Sequence, residues 1–136
     1  MLKNMSKKND VLIGLKSNGL HSNGFSLIRK LIDKKKISLD EKIKKSSLGS
    51  VILKPTKIYV KEILSLKEVV SINALSHITG GGFIGNLERI IPDNLSASVS
   101  LKSKYHFHKE LFTLIEERSN LTHEEMLSTF NCGIGM

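Results

Sequence analysis

The sequence predicts an α/β fold in the broad α+β sense, in which a mixed β-sheet is covered by helices. Two observations support this class. The order strand, glycine loop, helix occurs twice along the chain, and a later segment alternates apolar and polar residues with the period of a half-buried strand. The chain has 136 residues, of which 40% are hydrophobic. That is enough for one folded domain with a buried core.

The first strand–loop–helix unit covers residues 10–33. The apolar run DVLIGL at 10–15 is bounded by turn residues and predicts a buried strand. The loop KSNGLHSNG follows, and from Phe25 the apolar residues recur on one helical face. The lysine-rich stretch 34–45 has no strong period. It predicts at most a short helix, in the most mobile part of the chain.

The second unit follows Pro55. Apolar side chains recur there at i, i+4, i+7 and i+11, which predicts a helix; they are Tyr59, Ile63, Leu66 and Val70. INALSHIT at 72–79 predicts a strand that ends in three glycines. FIGNLERII at 83–91 predicts a third helix, closed by Pro92.

The remaining elements are one strand and two helices. SASVSLK at 96–102 alternates strictly and predicts a half-buried strand, antiparallel or at a sheet edge. Apolar spacing from 107 to 115 predicts a fourth helix. Thr122 and Glu125 have the spacing of a capping box, which predicts a fifth helix with a defined start. GIGM at 133–136 resembles the entry into a further strand.

The net charge of +8 is compatible with a nucleic acid, an acidic partner or a phosphorylated small molecule. Much of the positive charge lies in 29–45, and the chain has neither an arginine cluster nor aromatic residues interleaved for base stacking. We therefore expect no nucleic-acid partner, although a non-catalytic basic binding module remains an alternative.

The compartment follows from what the sequence lacks. No apolar run approaches the roughly 20 residues that cross a bilayer, and the N-terminus has no apolar region typical of a secretory signal. A single cysteine, Cys132, excludes an internal disulfide. We expect a cytoplasmic protein with no membrane partner.

The glycines are concentrated at junctions between predicted strands and helices. Nine of the ten lie in three windows: Gly14, Gly19 and Gly24; Gly80, Gly81, Gly82 and Gly85; Gly133 and Gly135. Glycine lets a backbone approach a ligand closely, and a helix N-terminus attracts anions. Phosphate sites are therefore predicted at 22–24 and 79–82. The alternative is a pair of ordinary tight turns, because neither loop has a Walker A or Rossmann pattern.

Several polar residues in or near these loops are candidate ligands. His21 lies inside the first loop and His77 precedes the second, where an imidazole could contact a phosphate or move a proton. Either histidine could instead be a packed hydrogen-bonding group. Asn86 and Asn131 could be polar ligands or caps.

No metal site is predicted. His106 and His108 form an H-x-H pair, but no acidic or cysteine partner lies nearby to complete a site. They are more consistent with surface residues at a helix start. Cys132 has no motif that marks a nucleophile and is interpreted as structural.

Four blocks of sequence resemble one enzyme family in the same order along the chain. They are DVLIGLKSNGLHSNGFSLIRKLI, LKPTKIYVKEIL, ALSHITGGGFIGNLERIIPDNL and EEMLSTFNCGIGM. Together they resemble the C-terminal domain of phosphoribosylformylglycinamidine cyclo-ligase, or AIR synthetase, over residues 10–136. A domain of a sister enzyme in the same superfamily, formylglycinamide ribonucleotide amidotransferase or a small-molecule kinase, is the alternative; HSNGFSL favours AIR synthetase.

The resemblance implies an ATP-dependent ligase of de novo purine biosynthesis. It closes the imidazole ring of formylglycinamidine ribonucleotide to give aminoimidazole ribonucleotide, ADP and phosphate. In this family the active site lies between two domains. The N-terminal domain supplies most ligands of ATP and Mg²⁺ and forms the homodimer. The resemblance therefore implies partners that are a phosphorylated ribonucleotide and ATP, and a chain that is inactive alone.

The resemblance also implies roles for individual residues. His21 and His77 would be catalytic. The residues that bind phosphate or substrate would be Ser22, Asn23, Gly24, Thr79, Gly80, Gly81, Gly82, Asn86, Asn131 and Gly133.

The family pattern also sets the expected domain boundaries. Residues 1–9 are expected to be a leader, or the tail of an N-terminal domain, and 10–136 a C-terminal-like domain without its last strands. An incomplete sheet would leave an exposed edge, which predicts self-association.

Overall fold

The computed structural model describes residues 6–100 and 105–136. Within these ranges there are six helices and one two-stranded antiparallel sheet, so the α+β class is confirmed at the coarse level. The elements are α1 (Phe25–Asp33), β1 (Lys42–Ile43), β2 (Ser46–Ser47), α2 (Leu48–Ile52), α3 (Val60–Val69), α4 (Gly82–Glu88), α5 (Lys109–Ser119) and α6 (His123–Thr129).

All five predicted helices are present, as α1, α3, α4, α5 and α6. The predicted capping box starts α6. The Thr122 hydroxyl accepts from the Glu125 N–H at 3.2 Å, and the Glu125 carboxylate accepts from the Thr122 N–H at 2.7 Å. Only the ends differ from prediction: α4 stops at Glu88, three residues early.

The predicted mixed sheet is the main error. Residues 10–15, 72–79 and 96–100 form no strand among the described residues, and 101–102 of the third predicted strand lie outside them. An apolar run favours an extended backbone, but it becomes a strand only where a neighbour completes the ladder.

A short ladder does form near the C-terminus of the chain. The N–H of Leu15 donates to the carbonyl of Met136, and the N–H of Ser17 to that of Gly133, both at 2.8 Å. Lys16 and Ile134 form an antiparallel bridge between them. The predicted extended entry at 133–136 is thus present, as an isolated bridge.

The lysine-rich stretch 34–45 contains no helix after the end of α1. A turn leads into the β1–β2 hairpin, in which Lys42 pairs with Ser47, and α2 follows. Ser47 caps α2 by accepting from the Ser50 N–H at 3.3 Å. The sequence prediction missed both because each strand has two residues and α2 has five, which are too few to give a clear period.

The core is built from α1, α2, α5, α6 and the loop residues beside them. The most buried apolar side chains there are Leu20, Ile28, Leu31, Leu48, Ile52, Leu111, Phe112, Ile115, Met126 and Phe130. The third helix, α3, contributes no buried residue. In the described part of the chain, no helix is long and apolar enough to span a bilayer.

Candidate functional site

The three glycine windows lie together in the fold. The Asn23 side-chain amide in the first window donates to the carbonyls of Ile78 and Thr79 at the second, at 3.3 and 3.0 Å. The N–H of Ile78 donates to the carbonyl of Gly135 in the third, at 3.0 Å. Loops that are separated by more than fifty residues in sequence therefore form one surface.

The first loop leads directly into α1. Gly24 precedes the helix with φ at 72°, and a Cβ there would overlap the Phe130 ring. Only glycine fits this position, because the backbone is left-handed and the Phe130 ring is in contact. Ser22 is exposed at the loop surface, whereas Asn23 is buried.

The second loop is organised by Asn86. Its side-chain amide donates to the carbonyls of Thr79, Gly80 and Gly82 at 3.0, 3.1 and 2.7 Å. In a trans peptide the C=O of one residue and the N–H of the next point in opposite directions. The N–H groups of Gly80 and Gly81 therefore point away from Asn86, and both glycines are exposed.

Asn131 holds the third window against the first. Its amide nitrogen donates to the carbonyls of Gly19 and Leu20 at 2.9 and 3.0 Å. Its oxygen accepts from the Ser17 hydroxyl at 3.3 Å and from the Gly133 N–H at 2.8 Å. The side chain is completely buried.

The predicted residues thus divide into two groups. Asn23, Asn86 and Asn131 are at most 3% exposed, and their amide nitrogens each bond two or more backbone carbonyls. Their contacts hold the loops in place. Ser22, His77, Gly80 and Gly81 are exposed, so a ligand could touch them directly; ligand binding by any of them stays a prediction.

His21 and His77 lie close together with a third ring that the sequence prediction missed, that of Tyr59. The three ring centroids are 6.1 to 6.3 Å apart. Tyr59 is 4% exposed and its hydroxyl donates to the Lys16 carbonyl at 3.0 Å. Burial, with a smaller contribution from Glu62, raises the pKa of Tyr59 to about 12, so the phenol stays protonated.

Tyr59 was predicted only as part of the apolar face of a helix. It instead stands just before α3 and faces the loops. The available signal was the PTKIYV block, where a lysine lies two residues before an aromatic residue. The ammonium of that lysine, Lys57, is 5.1 Å from the Tyr59 ring centroid and 2.9 Å from the Glu62 carboxylate.

Basic side chains lie near these loops, and one of them, Lys57, is paired with the Glu62 carboxylate. The Lys16 ammonium lies 5.6 Å from the Phe107 ring centroid, and His108 Nε2 is 2.8 Å from the Ser17 carbonyl oxygen. Burial, then the charges of His77, His108 and Lys57, lower the pKa of His21 from its usual value of 6.5. The His21 imidazole is therefore neutral at pH 7.

The residues present do not fit a magnesium site. Mg²⁺ takes oxygen ligands in octahedral geometry, and no group of three His, Cys, Asp or Glu side chains that could hold a metal ion occurs in the described ranges. A phosphate group can instead be held by N–H and hydroxyl donors, and Ser22, Gly80 and Gly81 carry such groups on exposed residues.

Cys132 is buried beside these loops. Its thiol is 3.4 Å from the Met126 carbonyl oxygen, and burial raises its pKa to about 12. A thiol in this state is a poor nucleophile at neutral pH, which supports the structural interpretation.

Comparisons with a family model and with individual proteins all point to the same family. A model of the family described as AIR synthase related protein, C-terminal domain, matches residues 7–136. The phosphoribosylformylglycinamidine cyclo-ligases of Alkaliphilus oremlandii and Nitrosococcus oceani are each 45% identical to the chain, over 134 and 127 residues. That of Methylobacillus flagellatus is 44% identical over 127 residues.

These alignments cover 96%, 93% and 93% of the chain, but only 38%, 35% and 36% of the respective relatives. The chain thus spans little more than a third of the length of the enzymes that it resembles.

Proposed function

The chain belongs to the family of AIR synthase related proteins and corresponds to their C-terminal domain, and from this premise we propose that it forms one wall of a cyclo-ligase active site. The reaction is the ATP-dependent closure of formylglycinamidine ribonucleotide to aminoimidazole ribonucleotide. The observation that carries the proposal is the convergence of the loops 21–24 and 79–82 through Asn23.

In this reaction the γ-phosphoryl group of ATP passes to the formamide oxygen of the substrate, and ADP leaves. An amidine nitrogen then attacks the activated carbon, closing the imidazole ring and releasing phosphate. Charge accumulates on phosphoryl oxygens during the first step. Preorganised N–H donors aimed at those oxygens stabilise such charge more effectively than water does.

We assign the binding of a phosphate or phosphoryl group to donors from two loops. The first loop contributes the Ser22 hydroxyl and the N–H groups at the start of α1. The dipole of this nine-residue helix makes its N-terminus attractive to an anion. The second contributes the N–H groups of Gly80 and Gly81.

In this proposal the ligands of magnesium come from outside the described residues of this chain. When bound, Mg²⁺ would neutralise phosphate charge, but the described residues offer no cluster to hold it. The ligands of Mg²⁺ and most ligands of ATP are therefore assigned to the part of the relatives that this chain does not match. The chain alone is then expected to bind phosphate weakly and to have no turnover.

The test is reconstitution of activity. ADP release is measured with ATP, magnesium and formylglycinamidine ribonucleotide, first with the chain alone and then after mixing it with the separately expressed N-terminal part of the Alkaliphilus oremlandii relative. Activity is expected only in the mixture. Ser22→Ala is expected to lower it by about tenfold, the effect of losing one hydrogen bond to a charged group.

Ser98→Ala is the matched control, because Ser98 is an exposed serine outside the glycine loops, and it should retain full activity. A folded mixture with no turnover, or a Ser22→Ala variant as active as the parent chain, would contradict the proposal.

A further inference from the structure

One buried nitrogen in the site, Nδ1 of His21, has no hydrogen-bond partner among the described residues. His21 is 4% exposed, and its backbone has φ at 57°, a left-handed conformation that histidine adopts more often than most residues do. A buried polar group without a partner costs about 1–3 kcal/mol. The unpaired nitrogen is therefore a candidate contact for a ligand.

The other ring nitrogen fixes where the proton lies. His21 Nε2 is 3.4 Å from the backbone nitrogen of Asn18 and 3.5 Å from that of Lys57. Both backbone N–H groups can only donate, so Nε2 must present a lone pair to them. A neutral imidazole has one donor and one acceptor nitrogen. The proton of His21 therefore lies on Nδ1, and the unpaired atom is a donor.

The surroundings of the ring keep it neutral. The titratable groups that face it are His77, His108, Lys57 and Tyr59. The first three are positive when protonated, and together with burial they lower the pKa of His21, whereas Tyr59 stays uncharged. No carboxylate contributes to the shift. The imidazole therefore does not gain a second proton near neutral pH.

The position of the ring is also fixed by packing. A Cβ at Gly135 would overlap the Tyr59 hydroxyl and approach Cε1 of His21, the ring carbon between the two nitrogens. The backbone at 135 therefore lies against this edge of the imidazole. Ser22 and α1 follow His21 directly in the chain, so its unpaired donor belongs to the same loop as the proposed phosphate donors.

We propose that His21 is a neutral, Nδ1-protonated imidazole that donates this N–H to an oxygen of the bound phosphate group. The backbone amides of Asn18 and Lys57 hold the ring in that tautomer. The inference rests on the proposed function, because that function supplies the acceptor. It assigns to His21 a narrower role than proton transfer, namely stabilisation of anionic oxygen by a fixed donor.

The tautomer can be measured without any ligand. Nitrogen-15 NMR of the imidazoles in the full chain distinguishes a protonated from an unprotonated ring nitrogen. We expect His21 to be neutral at pH 7 and to carry its proton on Nδ1. A proton on Nε2, or a charged ring at pH 7, overturns the inference.

Donation to phosphate is tested with inorganic phosphate, against sodium chloride at matched ionic strength. We expect the Nδ1–H resonance of His21 to shift together with the backbone amides of Ser22 and Gly81. If those amides shift while Nδ1–H does not, the inference is wrong and the proposed function stands. If phosphate shifts none of them, the proposed phosphate site fails, and the donor role fails with it.

Two variants distinguish loss of the Nδ1–H donor from loss of the hydrogen bonds that His21 accepts at Nε2. His21→Asn places an amide nitrogen near the position of Nδ1, and asparagine tolerates the left-handed backbone. His21→Gln places its amide near Nε2, where its oxygen can accept from Asn18 and Lys57 but no donor replaces Nδ1–H. Phosphate affinity is expected to fall about tenfold in His21→Gln and markedly less in His21→Asn. Equal affinity of the folded His21→Gln variant and the parent chain contradicts the inference.

Discussion

The two sides of this molecule contain the same kinds of apolar residue but bury them to very different extents. On the packed side, formed by α1, α2, α5 and α6, Phe112 and Ile115 are completely inaccessible. On the open side, formed by 10–15, α3 and 70–76, Val11 is 83% exposed and Val69 is 77% exposed. Burial is therefore decided by whether a second layer is present, and only secondarily by residue type.

The open side contains a groove in place of a core. A cavity of about 450 Å³ lies among the residues of 10–15, α3 and 70–76, and its lining also includes Ile134 and Met136. Its walls include Ile63 and Leu66, the same helical face that the sequence predicts to be buried. The candidate site lies at the boundary, where the loops 21–24 and 79–82 join the two sides.

The largest effect that tests this contrast is expected from truncating one apolar side chain on each side. Phe112→Ala removes a fully buried ring from the packed side and should lower the free energy of unfolding by about 3–5 kcal/mol. Leu64→Ala on α3, where Leu64 is 56% exposed, should change it by less than about 0.5 kcal/mol. Urea denaturation of both variants gives the comparison.

A Phe112→Ala variant that is unfolded without urea would agree with the expected direction. If Leu64→Ala were as destabilising as Phe112→Ala, α3 would be part of a cooperative core, and the division into two sides would be wrong.

The sequence predicted the packed side better than the open side. The helices that bury a stripe carry the 3.6-residue period within a single segment, and Thr122 with Glu125 marks the start of α6. These signals are local. Strands at 10–15 and 72–79 depend on partners elsewhere in the chain, and a run such as DVLIGL does not reveal whether a partner is adjacent.

At the candidate site, too, the sequence reveals local motifs but not the contacts between distant segments. The glycine windows were visible in the sequence as phosphate-loop candidates, but their convergence through Asn23 and Asn131 was not. Tyr59 was missed because an aromatic residue at helical spacing resembles a core residue. Only the fold places its ring beside both His21 and His77.

A smaller effect is expected from two nearby glycines at the boundary between the sides. Gly82 has φ at 64°, and a Cβ there would overlap the Leu127 carbonyl oxygen on α6. Gly82→Ala should therefore cost at least about 1–2 kcal/mol from backbone strain alone. At Gly80 a Cβ would meet no heavy atom within 4 Å, and the backbone has no positive φ. Gly80→Ala should therefore be neutral, or stabilising by up to about 1 kcal/mol.

Thermal denaturation of the two glycine variants measures this difference directly. The prediction fails if both variants unfold at the same temperature, because the contact between Gly82 and α6 would then contribute nothing to stability.

The smallest expected effect concerns pH and lies at the same boundary. Because burial and neighbouring positive charge lower the pKa of His21 in the folded chain, the unfolded chain binds a proton at a higher pH than the folded chain does. The stability associated with neutral His21 is therefore fully present above pH 6.5 and is lost as pH falls through the folded pKa.

In urea denaturation at about pH 7.5 and about pH 5.5, the parent chain should lose more stability at the lower pH than His21→Asn does. The other four histidines are present in both proteins, so the difference isolates His21. An equal loss in both proteins would mean that His21 is as free to take up a proton as it is in the unfolded chain, and that neither side of the molecule shields it.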